Sequence, residues 1–130
     1  LKIENKVEFL GYVTEPQKIL AKSDVLALTS DSEAFGMVLA EAMSVGTQVV
    51  STDVFSGPKE VLGYGKYGFL AKKGDVTSIV NALREACIHP KEIKLLAEAA
   101  QRFEPNRIGQ QYIDFFKKIY ESRGTINDEL

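Results

Sequence analysis

The chain has 130 residues, 45% of them apolar and 26% charged, which suits one globular domain with a real core. Its formal net charge is −2 and its basic residues are scattered, with only Lys72-Lys73 and Lys117-Lys118 adjacent. That excludes a nucleic-acid groove, which needs a surplus of Lys and Arg to displace counterions. The single cysteine, Cys87, excludes an internal disulfide; in Ala86-Cys87-Ile88 it reads as a small buried apolar residue, and a reducing, cytoplasmic setting is expected. No signal peptide opens the chain, and no apolar run approaches the roughly 18 residues of a membrane span. The first residue is Leu1, amid charged sequence, so an excised domain with missing upstream parts is expected.

Val7-Glu8-Phe9-Leu10, ended by Gly11, predicts a short buried strand. Thr14-Glu15-Pro16 predicts a helix start, with Thr14 or Glu15 at the cap and Pro16 in the first turn, running to about residue 22. Asp24-Val25-Leu26-Ala27-Leu28 predicts a second strand, which breaks into the polar turn Thr29-Ser30-Asp31-Ser32. A helix over 37–45 follows, closed by Gly46 as a left-handed cap. Gln48-Val49-Val50-Ser51 predicts a third strand, and Ser56-Gly57-Pro58 a loop. Residues 59–62 predict a helical turn, the glycine-rich stretch 63–68 a loop, and Phe69-Leu70-Ala71 a brief strand. Over 75–88 the pattern is amphipathic, with Val76, Ile79, Val80, Leu83 and Cys87 on one face. His89-Pro90 breaks it, and 92–103 predicts another helix. The last predicted helix, from Pro105 to about Tyr120, carries Ile108, Tyr112, Phe115, Phe116 and Ile119. The organisation is thus one domain over 1–121 and a polar, flexible tail over 122–130.

Strands alternating with helices predict an α/β fold with an open parallel sheet. Ligands in such sheets bind outside the carboxyl ends of the strands, so the loops after Leu28 and after Ser51 are the places to seek chemistry. The helix after the first of these loops is apolar almost all round, with only Glu41 and Ser44 polar. Such a helix is buried, which leaves Glu41 facing a solvent gap or a hydrogen-bonding ligand. Glu33 lies eight residues upstream, so the two carboxylates are separated by at least about 12 Å along a helix axis. That distance is too long for the acid/base pair of a glycoside hydrolase. The N–H groups of Gly36, Met37 and Val38 at the helix start form an anion site between them, and Gly36 admits a ligand close to the backbone. A sugar, a diphosphate and a ribose in that order satisfy carboxylate, donor cluster and carboxylate.

Glu33-Ala34-Phe35-Gly36, then Glu41-Ala42-Met43, Gly46-Thr47, Val49-Val50 and Thr52-Asp53, resemble the core signature of the retaining family 4 glycosyltransferases, the group 1 glycosyl transferases. The spacing of Glu33 and Glu41 matches that family's E-x7-E motif. Ser56-Gly57-Pro58-Lys59-Glu60-Val61-Leu62, Gly65-Lys66-Tyr67-Gly68-Phe69-Leu70 and Gly74-Asp75 resemble the segments that follow it. Val7-Glu8-Phe9-Leu10-Gly11-Tyr12 resembles one that precedes it, so the likeness spans roughly residues 6–120. The resemblance implies the truncated C-terminal lobe of a GT-B fold, an open parallel Rossmann-like sheet with helices on both faces.

The resemblance further implies a hexosyltransferase whose donor is a nucleotide-diphosphate sugar, a UDP-sugar being favoured. In this family Glu33 would sit beside the donor hexose as the catalytic position, and Glu41 would take the ribose hydroxyls. Phe35, Gly36, Met37 and Val38 would bring backbone donors to sugar and diphosphate, with Gly57 near the nucleotide. No metal and no further cofactor is expected. The acceptor, a glycan or lipid-linked sugar, would come through a missing N-terminal lobe, with peripheral membrane association at the inner face. The family's phosphate-binding Arg and Lys have no counterpart in residues 1–6, so a missing first strand-helix unit, weak donor binding and no turnover are expected.

Other readings compete. Glu41 on an exposed helix stripe, Glu33 complementing the helix dipole, and Gly57-Pro58 merely shaping a turn are the structural alternatives. At the level of function the rivals are a regulatory or plain nucleotide-binding α/β module, an epimerase lobe of the same architecture, and a non-catalytic scaffold. A dinucleotide-binding oxidoreductase is disfavoured, because no G-x-G-x-x-G follows a strand.

Overall fold

A computed structural model describes the backbone of residues 2–127 and the side chains of residues 2–122. Three parallel strands, β1 (Val25–Leu28), β2 (Gln48–Asp53) and β3 (Phe69–Lys72), form one sheet in the order β1-β2-β3. Register pairs Val25 with Gln48 and Val50 with Phe69, which places β2 at the centre. A central strand of a parallel sheet is covered on both faces, and β2 is buried from Gln48 to Thr52.

Side chains alternate across that strand. Val49 joins Leu20, Leu39, Ala42, Met43, Val61, Leu62, Leu96 and Ala99 on one side, and Val50 joins Ala71, Ala82 and Ala86 on the other. The first layer comes from α1 (Pro16–Leu20), α2 (Met37–Ser44), α3 (Pro58–Val61) and, beyond them, residues 93–101. The second is α4 (Val76–Ile88) alone. The parallel sheet covered on both faces is therefore as expected.

Helix boundaries follow local chemistry. Pro16 and Pro58 open α1 and α3, where a missing N–H costs nothing. Gly46, at φ +84°, closes α2 in the left-handed region, and its position lets Ile93 pack within about van der Waals distance. Asp75 caps α4 by accepting from the Ser78 N–H at 2.9 Å. Helices α5 (Ile93–Gln101) and α6 (Pro105–Asn127) complete the chain. Gln48 ties the α4–α5 link to β2, its amide donating to Lys91 O at 2.9 Å and accepting from Lys91 N at 2.8 Å.

Four expectations change. Residues 7–10 are not a strand: no strand lies beside them among the described residues, and Phe9 is 94% exposed. An apolar run cannot form a ladder without a partner for its backbone groups. Cys87 is exposed, because the buried face of α4 runs through Ile79, Ala82, Leu83 and Ala86 rather than through Val76, Val80 and Cys87. In α2 Met37 is exposed, as is Val45 just past its end, so burial in the helix is confined to Leu39, Ala40, Ala42 and Met43. Finally, α6 continues through residues 122–127, since that stretch holds no proline to interrupt it. The predicted tail's last residues, 128–130, lie outside the described residues.

Candidate functional site

The loops that follow β1 and β2 are bound into one unit at the carboxyl edge of the sheet. Thr52, buried near the end of β2, donates from Oγ1 to Ser30 O at 2.6 Å and so fixes where the first loop leaves the sheet. Ser56 Oγ donates to Glu33 O at 3.3 Å. Gly57 is buried at φ +71° with its Cα against the first loop. A Cβ there would stand 2.5 Å from Ala34 O and 2.7 Å from the Phe35 Cα. Gly57 thus serves close packing of backbone on backbone, a contact between loops that its place in a Gly-Pro turn does not disclose.

Gly36 caps α2 at φ +82°, ψ +50°, a left-handed conformation that favours glycine. Its Cβ position is crowded by Leu39 Cδ1 at 3.2 Å and Leu28 Cδ2 at 3.3 Å, so any side chain would press on the core. No side chain caps this helix. Leu39 N donates to Gly36 O at 2.9 Å, while the N–H groups at the very start have no intrahelical acceptor. Phe35, just before them, sets its ring edge-on against Phe103 with centroids 5.3 Å apart. That contact anchors the loop to the turn between α5 and α6 and was invisible in the local sequence, because the two residues lie far apart along the chain.

The two carboxylates are placed differently from each other. Glu33 is half-buried in the loop, and its Oε1 accepts from the Ala34 N–H at 3.1 Å. Glu41 is half-buried on α2, and among the described residues its carboxylate makes no hydrogen bond or ion pair. Its main-chain oxygen accepts from Ser44 Oγ at 2.7 Å, which leaves the side chain as the free acceptor. A half-buried carboxylate without a protein partner is open to a hydrogen-bond donor from outside the chain. Met37 is 55% exposed and Val38 half-buried, so the helix start reaches solvent.

Beside this unit, Asp53 and Lys59 form an ion pair at 3.0 Å. They line a cavity of about 510 Å3 with Val54, Phe55, Glu60 and Tyr64. Sequence reasoning passed over Phe55 and Tyr64; the signal available was an aromatic residue set in each of two Gly-containing loops.

An open parallel lobe with its polar loops gathered at adjacent strand ends defines a Rossmann-like ligand-binding class. Similarity to known proteins narrows that class. Residues 1–106 match the family described as glycosyl transferases group 1, and the chain belongs to that family. It is 34% identical over 117 residues to N-acetyl-alpha-D-glucosaminyl L-malate synthase of Bacillus anthracis, covering 86% of this chain and 30% of that protein. It is 33% identical over 126 residues to lipopolysaccharide 1,6-galactosyltransferase of Escherichia coli, covering 92% and 34% respectively. Among solved structures, Anabaena HepE in complex with UDP-glucose superposes with a TM-score of 0.77 at 31% identity, covering 91% of this chain and 34% of that one. The chain therefore spans about a third of the length of these two relatives. The family and the GT-B lobe implied by the sequence are both borne out. No helix among the described residues is long and apolar enough to cross a membrane.

Proposed function

We propose that this chain binds the nucleotide-diphosphate sugar in a retaining hexosyltransferase. The observation that carries this reading is the uncapped start of α2 at Gly36, set between half-buried Glu33 and the unpartnered carboxylate of Glu41. Free N–H groups and the helix dipole favour the diphosphate. Phe35, Gly36, Met37 and Val38 supply those backbone donors. Glu41 accepts from the ribose hydroxyls, and Glu33 positions the donor hexose. Gly57 acts one step removed, holding the loop of Glu33 and Phe35 in place through its contact with Ala34.

Transfer requires that negative charge developing on the leaving diphosphate be stabilised, and fixed N–H donors do so without reorganising. A UDP-sugar is the favoured donor, because HepE, similar along most of this chain, is described with UDP-glucose. A glycan or lipid-linked sugar is the favoured acceptor, consistent with a relative that acts on lipopolysaccharide. Such an acceptor suits an enzyme working in the cytoplasm at the membrane face. Because the relatives are far longer, these 130 residues are expected to bind donor weakly and not to turn it over.

Calorimetric titration with UDP-, GDP- and ADP-glucose tests the reading. UDP-glucose should bind most tightly, and Glu41→Ala should weaken it by about tenfold or more, the worth of a lost hydrogen bond to a charged group. The absence of any nucleotide-sugar binding at millimolar concentration, or an unchanged affinity in Glu41→Ala, would refute it.

A further inference from the structure

We propose that Arg102 is a positioning residue for donor binding, which together with Phe103 braces the loop between Glu33 and Gly36 from two directions. The assignment rests on the donor-binding reading above and names what holds that site in shape.

Arg102 directly follows α5 and is half-buried, and among the described residues it makes no ion pair. A guanidinium drawn partly out of water without a counter-ion needs other partners for its charge. Two backbone oxygens and two rings provide them. Nε donates to Ala99 O at 2.9 Å, in the last turn of α5, and Nη2 donates to Val61 O, at the end of α3. The guanidinium carbon lies 4.5 Å from the ring centroid of Tyr67 and 4.9 Å from that of Phe103, within the range of cation–π attraction. Val61 is 1% exposed, and its oxygen, at a helix end, depends on a donor from outside the helix. A lysine would keep the charge but not the planar fork that meets both oxygens while lying against the rings.

These contacts lead to the donor loop by two routes. Val61 N donates to Gly57 O at 2.9 Å, so the residue that Arg102 holds at its oxygen holds Gly57 at its nitrogen. Gly57 is the glycine set against the loop, where a Cβ would stand 2.5 Å from Ala34 O and 2.7 Å from the Phe35 Cα. On the other side, the ring of Phe103 meets that of Phe35 edge-on at 5.3 Å. One route runs through backbone and the other through rings, and both end on Ala34 and Phe35, the two residues between Glu33 and Gly36. The loop has little burial of its own to hold it, since Ala34 is exposed and Phe35 is 38% exposed. A ligand site keeps its geometry when packing behind it locks the residues that carry it. Fixing Ala34 and Phe35 fixes the direction of the Glu33 carboxylate and of the N–H groups at the start of α2.

The test is NMR titration of the 15N-labelled chain with UDP-glucose, comparing the parent with Arg102→Lys, Phe103→Leu and Ile79→Ala. Ile79 packs on the opposite side of the sheet, against the cluster of Val50 and Ala71, and serves to separate stability from positioning. Arg102→Lys and Phe103→Leu should each shift the amides of residues 34–36 in the free chain. Each should also weaken UDP-glucose binding about tenfold while the chain remains folded, as expected when a packed network behind a site is disturbed. Ile79→Ala should lower the urea midpoint by at least as much and bind UDP-glucose as the parent does. Parent-like affinity in either folded variant, or amides of residues 34–36 that do not move, overturns the assignment. So does a loss of affinity in Ile79→Ala that matches theirs, because binding would then follow stability alone. If UDP-glucose leaves residues 36–41 of the parent unmoved, it is the donor reading that fails, and the role of Arg102 falls with it.

Discussion

Two glycines separate backbone strain from crowding. Gly57 and Gly65 both lie at positive φ, +71° and +94°, yet a Cβ on Gly57 would meet Ala34 O at 2.5 Å while one on Gly65 would meet nothing within 4 Å. Both substitutions to Ala incur the left-handed penalty, but only Gly57→Ala must also push apart a pair of loops whose contact is backbone against backbone. Gly57→Ala should therefore cost roughly 1–3 kcal/mol more than Gly65→Ala in urea denaturation, the usual range for overpacking. It should also weaken UDP-glucose binding, since the displaced loop carries Glu33 and Phe35. Equal losses from the two variants would show that the loops yield easily. Gly57 was visible in the sequence as a residue that matters; what it touches was not, because Ala34 is remote along the chain. Thr52 was hidden more completely. In an apolar strand its hydroxyl reads as an ordinary β-branched choice, and only the fold reveals the bond to Ser30 O.

At the level of elements, α4 shows what a periodic pattern can and cannot specify. Its 3.6-residue period, its start near Asp75 and its end at His89 were all legible. Its phase was not. Val76, Val80 and Cys87 make a more hydrophobic stripe than Ala82 and Ala86, but the helix turns its alanines to the sheet. Small residues let the helix axis approach Val50 and Ala71, and close packing over that area outweighs the burial of a few larger side chains. The phase can be tested with neighbouring positions. Ala86→Leu, at a site 1% exposed, should cost roughly 1–3 kcal/mol by overpacking, whereas Cys87→Ser should stay within about 0.5 kcal/mol of the parent in thermal unfolding. Asp75 and Ser78 add a second constraint on the same helix. Asp75 accepts from Ser78 N at 2.9 Å, and Ser78 Oγ accepts from Lys72 N at 2.8 Å, so cap and strand end share one residue. Asp75→Ala should cost about 1 kcal/mol.

Across the whole molecule, stability is concentrated on the two faces of β2, and two segments stand apart from it. One is 7–12, where Phe9 and Tyr12 are over nine-tenths exposed. The other is α6, on which Tyr112, Ile113, Phe115, Phe116, Ile119 and Tyr120 remain exposed although its sequence pattern is that of a core-facing helix. Amphipathic periodicity was thus a sound guide to the helix and a poor guide to its burial, because a pattern records that a face is apolar and not what covers it. Three rings of α6 lie against each other, Tyr112 stacked on Phe116 with centroids 6.3 Å apart and Phe115 tilted against Phe116 at 5.9 Å. Their removal should scarcely touch the lobe. The double substitution Phe115→Ser, Phe116→Ser should change unfolding stability by no more than about 1 kcal/mol, the sum expected of two surface positions. Leu96→Ala, on a fully buried residue of the α5 layer, should cost about 2–5 kcal/mol. Urea denaturation of both variants compares the two directly. A loss of several kcal/mol from the α6 pair, matching that of Leu96→Ala, would mean that this helix folds back onto the lobe in solution and shares its core.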